Sequence, residues 1–410
     1  MDREALIYDW NHHDGGILTQ MPEVEVHDET LRDGLQSASA IDPAIDVKLK
    51  IIDLLETLGV TSACVGLPGA SARSFEDTDA IVGHVVERGH ALQMCAAART
   101  VVADIEPIIA LSEKWNRPIQ AMMFLGCSPI RMYTEHWTLD MLEERTRDAV
   151  RAAVKGGIPA AFVTEDTTRA QPATLERLFA AAIEEGVGRL VICDTVGQAT
   201  PDGVSALICW VKERLDAWGV ADRVKLDWHG HNDRGFAVTN ALYAAAAGCH
   251  RIHGTVLGIG ERVGNASLDQ LLINLAMIHQ PHEGLASLAA LTDLVSEALG
   301  VPIPVGYPVF GRDAFRTATG VHAAAIIKAA ATGDHELADR VYSAVPARFF
   351  GREQVIDIGH MSGRSNVRYW LERRGIEATP GRIEAVFAAA KSCPSTLATS
   401  EILAIVDTTP

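Results

Sequence analysis

Two histidines separated by a single residue, His229 and His231, have the type and spacing to do chemistry. The residues before them, 224–228 (Val-Lys-Leu-Asp-Trp), predict a β-strand, and residues 232–235 (Asn-Asp-Arg-Gly) predict its exit loop. Because side chains alternate along a strand, both imidazoles would lie on one face at its C-terminal end. Imidazole nitrogens are common ligands of divalent cations, so this pair could bind a metal. An isolated pair of this kind is more often solvated or packed, so the interpretation depends on the rest of the chain.

Short β-rich segments alternate regularly with helical segments around this pair. The β-rich segments fall at residues 23–27, 61–66, 91–96, 119–125, 160–164, 189–193, 224–231 and 251–256. The segments between them have helical periodicity, as in residues 47–58 and 268–278. Strands that alternate with helices at a spacing of about 30 residues predict a (β/α)₈ barrel, or TIM barrel, over residues 22–282. An open doubly wound sheet is the alternative, and the count of eight strands favours the closed barrel.

The segments on either side of the predicted barrel have different patterns. Residues 1–21 form a polar N-terminal arm, in which His12 and His13 are interpreted as solvated. Residues 301–308 (Val-Pro-Ile-Pro-Val-Gly-Tyr-Pro) predict a linker. Beyond the linker, a mostly helical subdomain is predicted, with helices near residues 320–331, 383–390 and 396–406. We therefore expect an N-terminal arm (1–21), a catalytic barrel (22–282), and a linker with a helical C-terminal subdomain (283–410).

Composition excludes several classes of partner. The chain has 410 residues with 36 basic and 53 acidic side chains, and its net charge of −17 argues against a nucleic-acid binder or an anionic membrane surface. We find no apolar segment of transmembrane length and no signal-peptide pattern at the N-terminus. The seven cysteines are dispersed and form no Cys-x-x-Cys pair, which predicts reduced thiols and a cytoplasmic protein.

Charged and polar residues gather where the predicted strands end. The first strand leads into residues 27–34, the fifth into 164–169, the sixth into 194–197, and the eighth is followed by 258–265. The active sites of (β/α)₈ barrels are built at the C-terminal ends of their strands. This distribution therefore predicts a catalytic site at that end of the barrel.

Three motifs in these segments carry a specific resemblance. They are Thr-Leu-Arg-Asp-Gly at residues 30–34, His-Gly-His-Asn-Asp at 229–233 and Gly-Glu-Arg-Val-Gly-Asn at 260–265. Together they resemble the DRE-TIM metallolyase superfamily, and within it the acyl-CoA-dependent condensing enzymes: the 2-isopropylmalate, citramalate and homocitrate synthases. The resemblance spans residues 23 to about 370, and it implies a TIM barrel followed by a helical subdomain.

The resemblance implies a divalent metal held by Asp33, His229 and His231, with Asn265 nearby. A carboxylate, two imidazoles and an amide oxygen leave positions open for substrate, and they suit Mg²⁺, Mn²⁺, Co²⁺ or Zn²⁺. A 2-oxo acid could chelate such a metal, which would act as a Lewis acid on the ketone. Arg32 could then stabilise the negative oxygen that develops as the carbon–carbon bond forms.

Condensation also requires a base that enolises the acyl thioester, with acetyl-CoA as the expected co-substrate. The Gly-Val-His sequence at residues 320–322 matches a subdomain motif of these synthases. By that resemblance His322 is the base or a base relay, and Glu165 and Tyr342 assist it. The resemblance further implies a homodimer in which the subdomain completes the partner's site. We thus expect a cytoplasmic acyltransferase of amino-acid biosynthesis that converts an acyl-CoA and a 2-oxo acid into a 2-substituted malate.

Three positions depart from the pattern of these synthases. Cys64 stands where they usually have a glutamate, Val163 replaces a serine and Arg131 replaces a histidine. The three changes leave the identity of the 2-oxo acid open. The loss of the glutamate and the presence of valine at 163 favour an apolar or bulky side chain. Carbon–carbon cleavage of a 3-hydroxyacyl-CoA, as in the HMG-CoA lyases, is the alternative activity, and a non-catalytic binding or regulatory paralogue is a third hypothesis. The loop at residues 258–265 lacks the cysteine that the lyases carry there, which favours condensation.

Overall fold

The computed structural model describes residues 6–13, 15–279 and 283–410, and the chain divides into two compact units. Unit 1 comprises Met1–Gln280 and Ala290–Val301, and unit 2 comprises Pro281–Ala289 and Pro302–Pro410. The boundary that we predicted at residue 282, and residues 1–5 and 14 of the predicted arm, lie outside the described residues. The division into arm, barrel and subdomain therefore stays a prediction.

Unit 1 contains a closed barrel of parallel strands, in which β1 to β8 follow one another and β8 pairs with β1. The strands, all within the described residues, are β1 (Glu25–Asp28), β2 (Ser62–Cys64), β3 (Gln93–Arg99), β4 (Ile119–Gly126), β5 (Ala160–Glu165), β6 (Arg189–Asp194), β7 (Lys225–Gly230) and β8 (Arg251–Gly254). Each coincides with a predicted strand to within three residues at either end. The TIM-barrel prediction is confirmed, and the open-sheet alternative is wrong.

Helices connect the strands of unit 1. They are α1 (Ile45–Thr57), α2 (Ala72–Arg88), α3 (Val102–Trp115), α4 (Pro129–Glu135), α5 (Leu139–Lys155), α6 (Pro172–Glu184), α7 (Pro201–Ala217), α8 (Ala237–Ala247), α9 (Leu268–Ile278) and, at the boundary between the units, α10 (Leu288–Leu299). Helix α5 illustrates why they form, because the Thr138 side chain caps its N-terminus by accepting a hydrogen bond from the Met141 amide. Its buried residues recur at helical spacing: Leu142, Thr146, Ala149, Val150 and Ala153.

Two strand ends differ from the prediction in a way that affects the site. Strand β7 ends at Gly230, so His231 lies one residue beyond it, although its amide still donates to the Asp194 carbonyl at 3.1 Å. Strand β8 ends at Gly254, because the chain turns at Val256–Gly258, where Leu257 has a φ of 59°. Both departures begin the loops that carry the polar residues.

The interior of the barrel has an apolar region and a charged region. The apolar region lies on β2 to β6 and contains the buried residues Cys64, Cys95, Ala97, Met122, Ala161, Val191 and Cys193. The charged region is centred on Asp227 of β7, which is fully buried. Its carboxylate accepts hydrogen bonds from Arg251 at 2.8 Å, from His253 at 3.0 Å and from Arg189. A buried carboxylate is tolerated here because cationic and polar donors surround it.

Unit 2 is mostly helical, as predicted. Its helices are α11 (Gly320–Ala331), α12 (His335–Arg340), α13 (Arg364–Glu372), α14 (Pro380–Ser392) and α15 (Thr399–Asp407), and short strands β9 (Arg316–Thr317) and β10 (Val355–Ile356) pair in parallel. An apolar core in this unit joins α13, α14 and α15 around Trp370, Leu371 and Val386. Across the described residues of both units, every helix is too short or too polar to span a membrane.

Candidate active site

A cavity of about 240 Å³ lies among the C-terminal ends of the barrel strands. Its polar lining comes mainly from β1, β7, β8 and the loops that follow them: Glu29, Arg32, Asp33, Gln36, Glu165, Thr195, His229, His231, His253 and Glu261. Its apolar lining comes from β2 to β6: Cys64, Leu67, Ala97, Met122, Phe124, Val163, Val191 and Cys193. The cavity is therefore polar on one side and apolar on the other.

Asp33, His229 and His231 converge at the polar side of this cavity. The Asp33 Oδ2 atom lies 3.3 Å from His229 Nε2 and 3.5 Å from His231 Nε2, and the two Nε2 atoms are 3.4 Å apart. Ligand bonds of about 2.0–2.2 Å to a divalent cation place neighbouring ligand atoms roughly 3.0–3.6 Å apart. All three side chains are buried. The spacing and chemistry of this group therefore fit a bound divalent cation.

Asp33 and His231 have pKa values that suit metal ligands. Burial would raise the pKa of Asp33, but Arg32 and the two histidines outweigh burial and hold that pKa below its ordinary value. Burial and the neighbouring His229 lower the pKa of His231 to about 4. Near neutral pH, Asp33 is thus a carboxylate and His231 a neutral imidazole, which are the forms that bind a cation.

Asn265 is brought to this group by the loop after β8. It forms an isolated bridge with His231, and its side-chain Nδ2 donates to the Ile259 carbonyl at 3.3 Å. Its Oδ1 is buried and has no hydrogen-bond partner among the described residues, as expected for an oxygen that is available to a cation. The loop needs glycine at 264, where φ is +89° and a Cβ would overlap the Gly258 carbonyl.

Arg32 lies beside the same group and is held by a carboxylate. Its Nη1 is 3.8 Å from Asp33 Oδ1, while its Nε and Nη2 contact Glu29 Oε2 at 2.8 and 2.7 Å. Glu29 is 1% exposed, and burial would raise its pKa. Arg32, together with His253 and His27, reverses that effect and holds the pKa of Glu29 well below its ordinary value.

Glu165 lines the cavity from the end of β5. Its Oε1 forms an ion pair with Arg131 Nε at 3.0 Å. Arg131, which stands where the synthases have a histidine, therefore binds the glutamate that is expected to assist the base. Burial raises the pKa of Glu165 although Arg131 opposes the change. The other two departing positions, Cys64 and Val163, lie in the apolar lining.

His322 and Tyr342 lie in unit 2 and contact each other. Their rings are 4.1 Å apart between centroids with an angle of 31° between their planes, and both side chains are exposed. His322 is in the first turn of α11, and Tyr342 follows the end of α12. The structure therefore brings this histidine and this tyrosine together, whereas their role as base and helper stays a prediction.

Comparisons with known proteins agree with the motifs. The family model described as HMGL-like matches residues 23–296, which is more than half of the chain. The chain belongs to the HMGL-like family. It is 31% identical over 371 residues to a probable 2-isopropylmalate synthase of Methanopyrus kandleri, covering 89% of this chain and 69% of that one. It is 30% identical over 367 residues to homocitrate synthase AksA of the same organism, covering 89% and 86%.

A solved structure supports the fold of this HMGL-like chain. An HMG-CoA lyase from Bacillus subtilis superimposes with a TM-score of 0.56 at 20% identity, and the match covers 69% of this chain and 96% of the lyase. At that identity the likeness shows the fold alone. The predicted resemblance to the superfamily is confirmed, and the curated relatives named above are synthases.

A further buried group in this HMGL-like barrel was missed by sequence reasoning. His27 Nε2 lies 3.4 Å and His253 Nδ1 lies 3.5 Å from Glu29 Oε1, and all three side chains are at most 1% exposed. None of the three atoms has a hydrogen-bond partner among the described residues. The spacing of His27 and Glu29, two residues apart at the end of the first strand, could have indicated that both face one side. Pairing them with His253 required the closure of β1 on β8.

Another missed group lies outside the cavity, on the helices. His84 Nε2 and His90 Nε2 each lie 2.7 Å from Asp53 Oδ1, and all three side chains are partly buried. The group joins α1 to the end of α2, so no local spacing in the sequence could have predicted it. Ordinary hydrogen bonds between the imidazoles and the carboxylate account for this arrangement.

Proposed function

We propose that this protein condenses an acyl-CoA, with acetyl-CoA as the first candidate, with a 2-oxo acid in a metal-dependent reaction. The observation that carries the proposal is a cation-binding group, Asp33, His229 and His231, that lies beside Arg32 in a cavity with an apolar wall. Relatives named 2-isopropylmalate synthase and homocitrate synthase support this class of reaction. The new carbon–carbon bond would give the CoA thioester of a 2-substituted malate, and hydrolysis of that thioester by water would release the 2-substituted malate and free CoA. The enzyme would be an acyltransferase.

The polar side of the cavity would bind the reacting end of the 2-oxo acid. Asp33, His229 and His231, with the free Asn265 Oδ1, would hold a divalent cation. Such a cation, when bound, supplies Lewis-acid polarisation of the substrate's keto group. Arg32 presents its Nη1 edge to the same region, where its charge and fixed N–H donors would stabilise the negative oxygen that develops as the new bond forms.

The thioester methyl group must lose a proton before it attacks the ketone. We assign this step to His322, acting directly or as a relay, because neutral imidazole accepts a proton near neutral pH. Tyr342 would orient the imidazole through the ring contact between them. Glu165 would assist from the end of β5. A homodimer whose subdomain completes the partner's site is part of this proposal.

The apolar side of the cavity would receive the side chain of the 2-oxo acid. Its wall is formed by thiols, methyl groups, Met122 and the Phe124 ring, with Val163 at the position of the expected serine. A carboxylate placed against such a wall would lose its hydration without gaining a partner, which costs several kcal/mol. We therefore propose a 2-oxo acid with an apolar side chain larger than the methyl group of pyruvate, and 2-oxoglutarate is disfavoured.

The experiment is a thiol-release assay with acetyl-CoA and a panel of 2-oxoisovalerate, phenylpyruvate, pyruvate and 2-oxoglutarate. We expect CoA release only when both substrates are present, with the highest kcat/KM for one of the first two acids. Arg32→Lys should lose most of this activity because lysine cannot form the same fork of N–H donors. Arg147→Lys, on the outer face of α5, is the matched control and should retain it.

Three outcomes would overturn parts of this proposal. If 2-oxoglutarate is the one acid of the panel that releases CoA from acetyl-CoA, the proposal of an apolar substrate is refuted. Cleavage of a 3-hydroxyacyl-CoA without any condensation would establish the lyase alternative. Metal binding without turnover of any substrate on the panel would favour the non-catalytic paralogue.

A further inference from the structure

We propose that Glu29 is the residue that positions Arg32 for the reaction, an inference that rests on the proposed function. Glu29 does not touch the cation-binding group in the structure, and it acts through the arginine. The inference assigns a specific role to a carboxylate that the motifs did not single out. It also explains how the site retains a fixed arginine with a thiol at position 64.

The contacts between the two side chains define the orientation of the guanidinium. Both Nε and Nη2 of Arg32 point to the same oxygen, Oε2 of Glu29, at 2.8 and 2.7 Å. This leaves Nη1 as the edge that faces Asp33, at 3.8 Å from Oδ1. Charge-assisted hydrogen bonds of this length are among the stronger ones in proteins, and a buried partner is not screened by solvent. The guanidinium is therefore held with one edge directed toward the reacting centre.

The backbone reinforces the same arrangement. The Arg32 amide donates to the Glu29 carbonyl at 3.2 Å, so the two residues occupy the ends of one tight turn. Within the turn, the Thr30 hydroxyl donates to Asp28 at 2.6 Å and accepts from the Val256 amide at 2.8 Å. The turn is thus attached to the loop after β8. Because the turn already holds Glu29 and Arg32 close together, less side-chain entropy is lost when the two side chains pair.

The other oxygen of Glu29 faces two imidazoles, which raises a competing explanation. His27, Glu29 and His253 could together hold a second cation, and Glu29 would then be a metal ligand. Arg32 already balances the Glu29 charge, and Arg251 lies close by through the Ser62 hydroxyl that contacts His27. A divalent cation would add two positive charges to a region that already contains two arginines. We therefore assign Glu29 to Arg32, and metal content distinguishes the two roles.

Position 64 offers an internal test of this assignment. Strands β1 and β2 pair with Asp28 beside Ala63, so Glu29, directly after β1, and Cys64, the last residue of β2, each follow a paired residue. Both residues line the cavity, as Arg32 does. A glutamate at 64 could thus reach the guanidinium from the neighbouring strand. Moving the carboxylate from 29 to 64 should restore what its removal from 29 takes away.

The experiment compares Glu29→Thr, the double variant Glu29→Thr/Cys64→Glu, and the matched control Glu25→Thr. Glu25 begins β1, whereas Glu29 directly follows the end of that strand, and Glu25 also pairs with an arginine, Arg189, at 3.2 Å. We expect Glu29→Thr to lower kcat about 10²-fold with little change in KM for acetyl-CoA, because a misplaced catalytic group costs about that much. The double variant should recover at least tenfold, and Glu25→Thr should behave as wild type.

Two further measurements separate the alternatives. Metal content should be the same in Glu29→Thr and wild type, whereas loss of one equivalent would overturn the positioning role in favour of a second metal site. NMR of the arginine Nε–H groups should show slow solvent exchange at Arg32 in the wild type and fast exchange in Glu29→Thr. The Arg32 signal is assigned by its loss in Arg32→Lys. If Arg32 Nε–H exchanges as slowly in Glu29→Thr as in the wild type, Glu29 does not hold the guanidinium and the positioning role is refuted.

The NMR measurement does not depend on turnover. A wild-type protein that condenses no 2-oxo acid would refute the proposed function and leave the contact between Glu29 and Arg32 tested by exchange alone. An active wild type whose Glu29→Thr variant keeps full kcat would refute the positioning role and leave the proposed function intact.

Discussion

Replacing Asp227 by asparagine should destabilise the barrel strongly, because its carboxylate is the anion at the centre of a buried charged region. Asp227 is fully buried and accepts hydrogen bonds from Arg251, Arg189 and His253. Asparagine has nearly the same volume, so the change removes the charge and leaves two arginines partly uncompensated. Breaking a buried ion pair in this way typically costs about 3–5 kcal/mol. For the roughly 290 residues of unit 1, an unfolding entropy of about 2.1 cal/mol/K per residue converts that cost into a Tm decrease of about 5–8 °C.

The assay is urea unfolding followed by tryptophan fluorescence, which reports mainly on unit 1 because Trp370 is the one tryptophan of the sequence that lies in unit 2. The control is Asp148→Asn on α5, which removes a surface carboxylate that pairs with Arg151 at 3.1 Å and should change stability by under 1 kcal/mol. A loss for Asp227→Asn no larger than that of the control would refute the reasoning.

The dependence of this effect on pH has a definite sign. Burial would raise the pKa of Asp227, but Arg251, His253 and Arg189 outweigh burial and hold the pKa below its ordinary value. A carboxyl with a lowered folded-state pKa contributes stability that is fully present above its unfolded pKa, about 3.9 for aspartate. The difference between wild type and Asp227→Asn should therefore be constant from pH 5 to 8. It should shrink only as the pH falls below about 4.

Two further predictions concern the metal and the base. Chelation should abolish turnover, and Asp33→Asn should lower the metal content of a folded protein, measured by mass spectrometry; full activity without metal would contradict the assignment. His322→Ala should lower turnover by about 10²–10⁴-fold with unchanged metal content, and it should slow solvent deuterium exchange into the acetyl methyl group. Mixing the His322→Ala and Asp33→Asn variants should restore activity if the subdomain completes a partner's site. Wild-type turnover in His322→Ala would show that the base is a barrel residue, and Glu165 would be tested first.

The fold could be predicted because its signals are local. Parallel barrel strands are short buried segments between amphipathic helices, and both patterns are visible in a single sequence. Helix α11 was predicted at residues 320–331, which are the residues it occupies. Strand β3 was predicted to end at residue 96 but continues to Arg99. Ala97 and Ala98 have weak strand propensity, so the sequence alone does not indicate a strand there. Pairing with Met122 and Met123 of β4 extends it, and that is a tertiary effect.

The cation-binding group could be predicted because each member stands in a contiguous motif at a strand end. Closure of the barrel brings those ends together, so the structure places Asp33 within 3.5 Å of both histidines. Motifs do not specify which neighbouring charges orient the members. Arg32 was interpreted as facing substrate, yet two of its nitrogen atoms contact Glu29. The sequence contains both residues, three apart, but the turn that makes them partners depends on Asp28 and Thr30.

The charged region around Asp227 shows why the remaining contacts were beyond sequence reasoning. Alternation along β7 predicts that Asp227 and His229 point to the same side, but it says nothing about the strands on either side. Asp227 lies beside Arg251 and Val191 in the register, and Arg189 reaches it diagonally from two residues earlier on β6. Such neighbours are set by the stagger of the closed barrel, which no single strand encodes.

A chain of contacts that depends on this stagger leads from the interior of the barrel to the cavity. Asp227 accepts a hydrogen bond from His253 at 3.0 Å, His253 faces Glu29 at 3.5 Å, and Glu29 holds Arg32 at 2.7 Å. The first contact crosses from β7 to β8, and the second crosses from β8 to the end of β1, which becomes its neighbour only when the barrel closes. The orientation of the arginine therefore follows from the closure of the whole barrel, although the arginine itself can be identified from five consecutive residues.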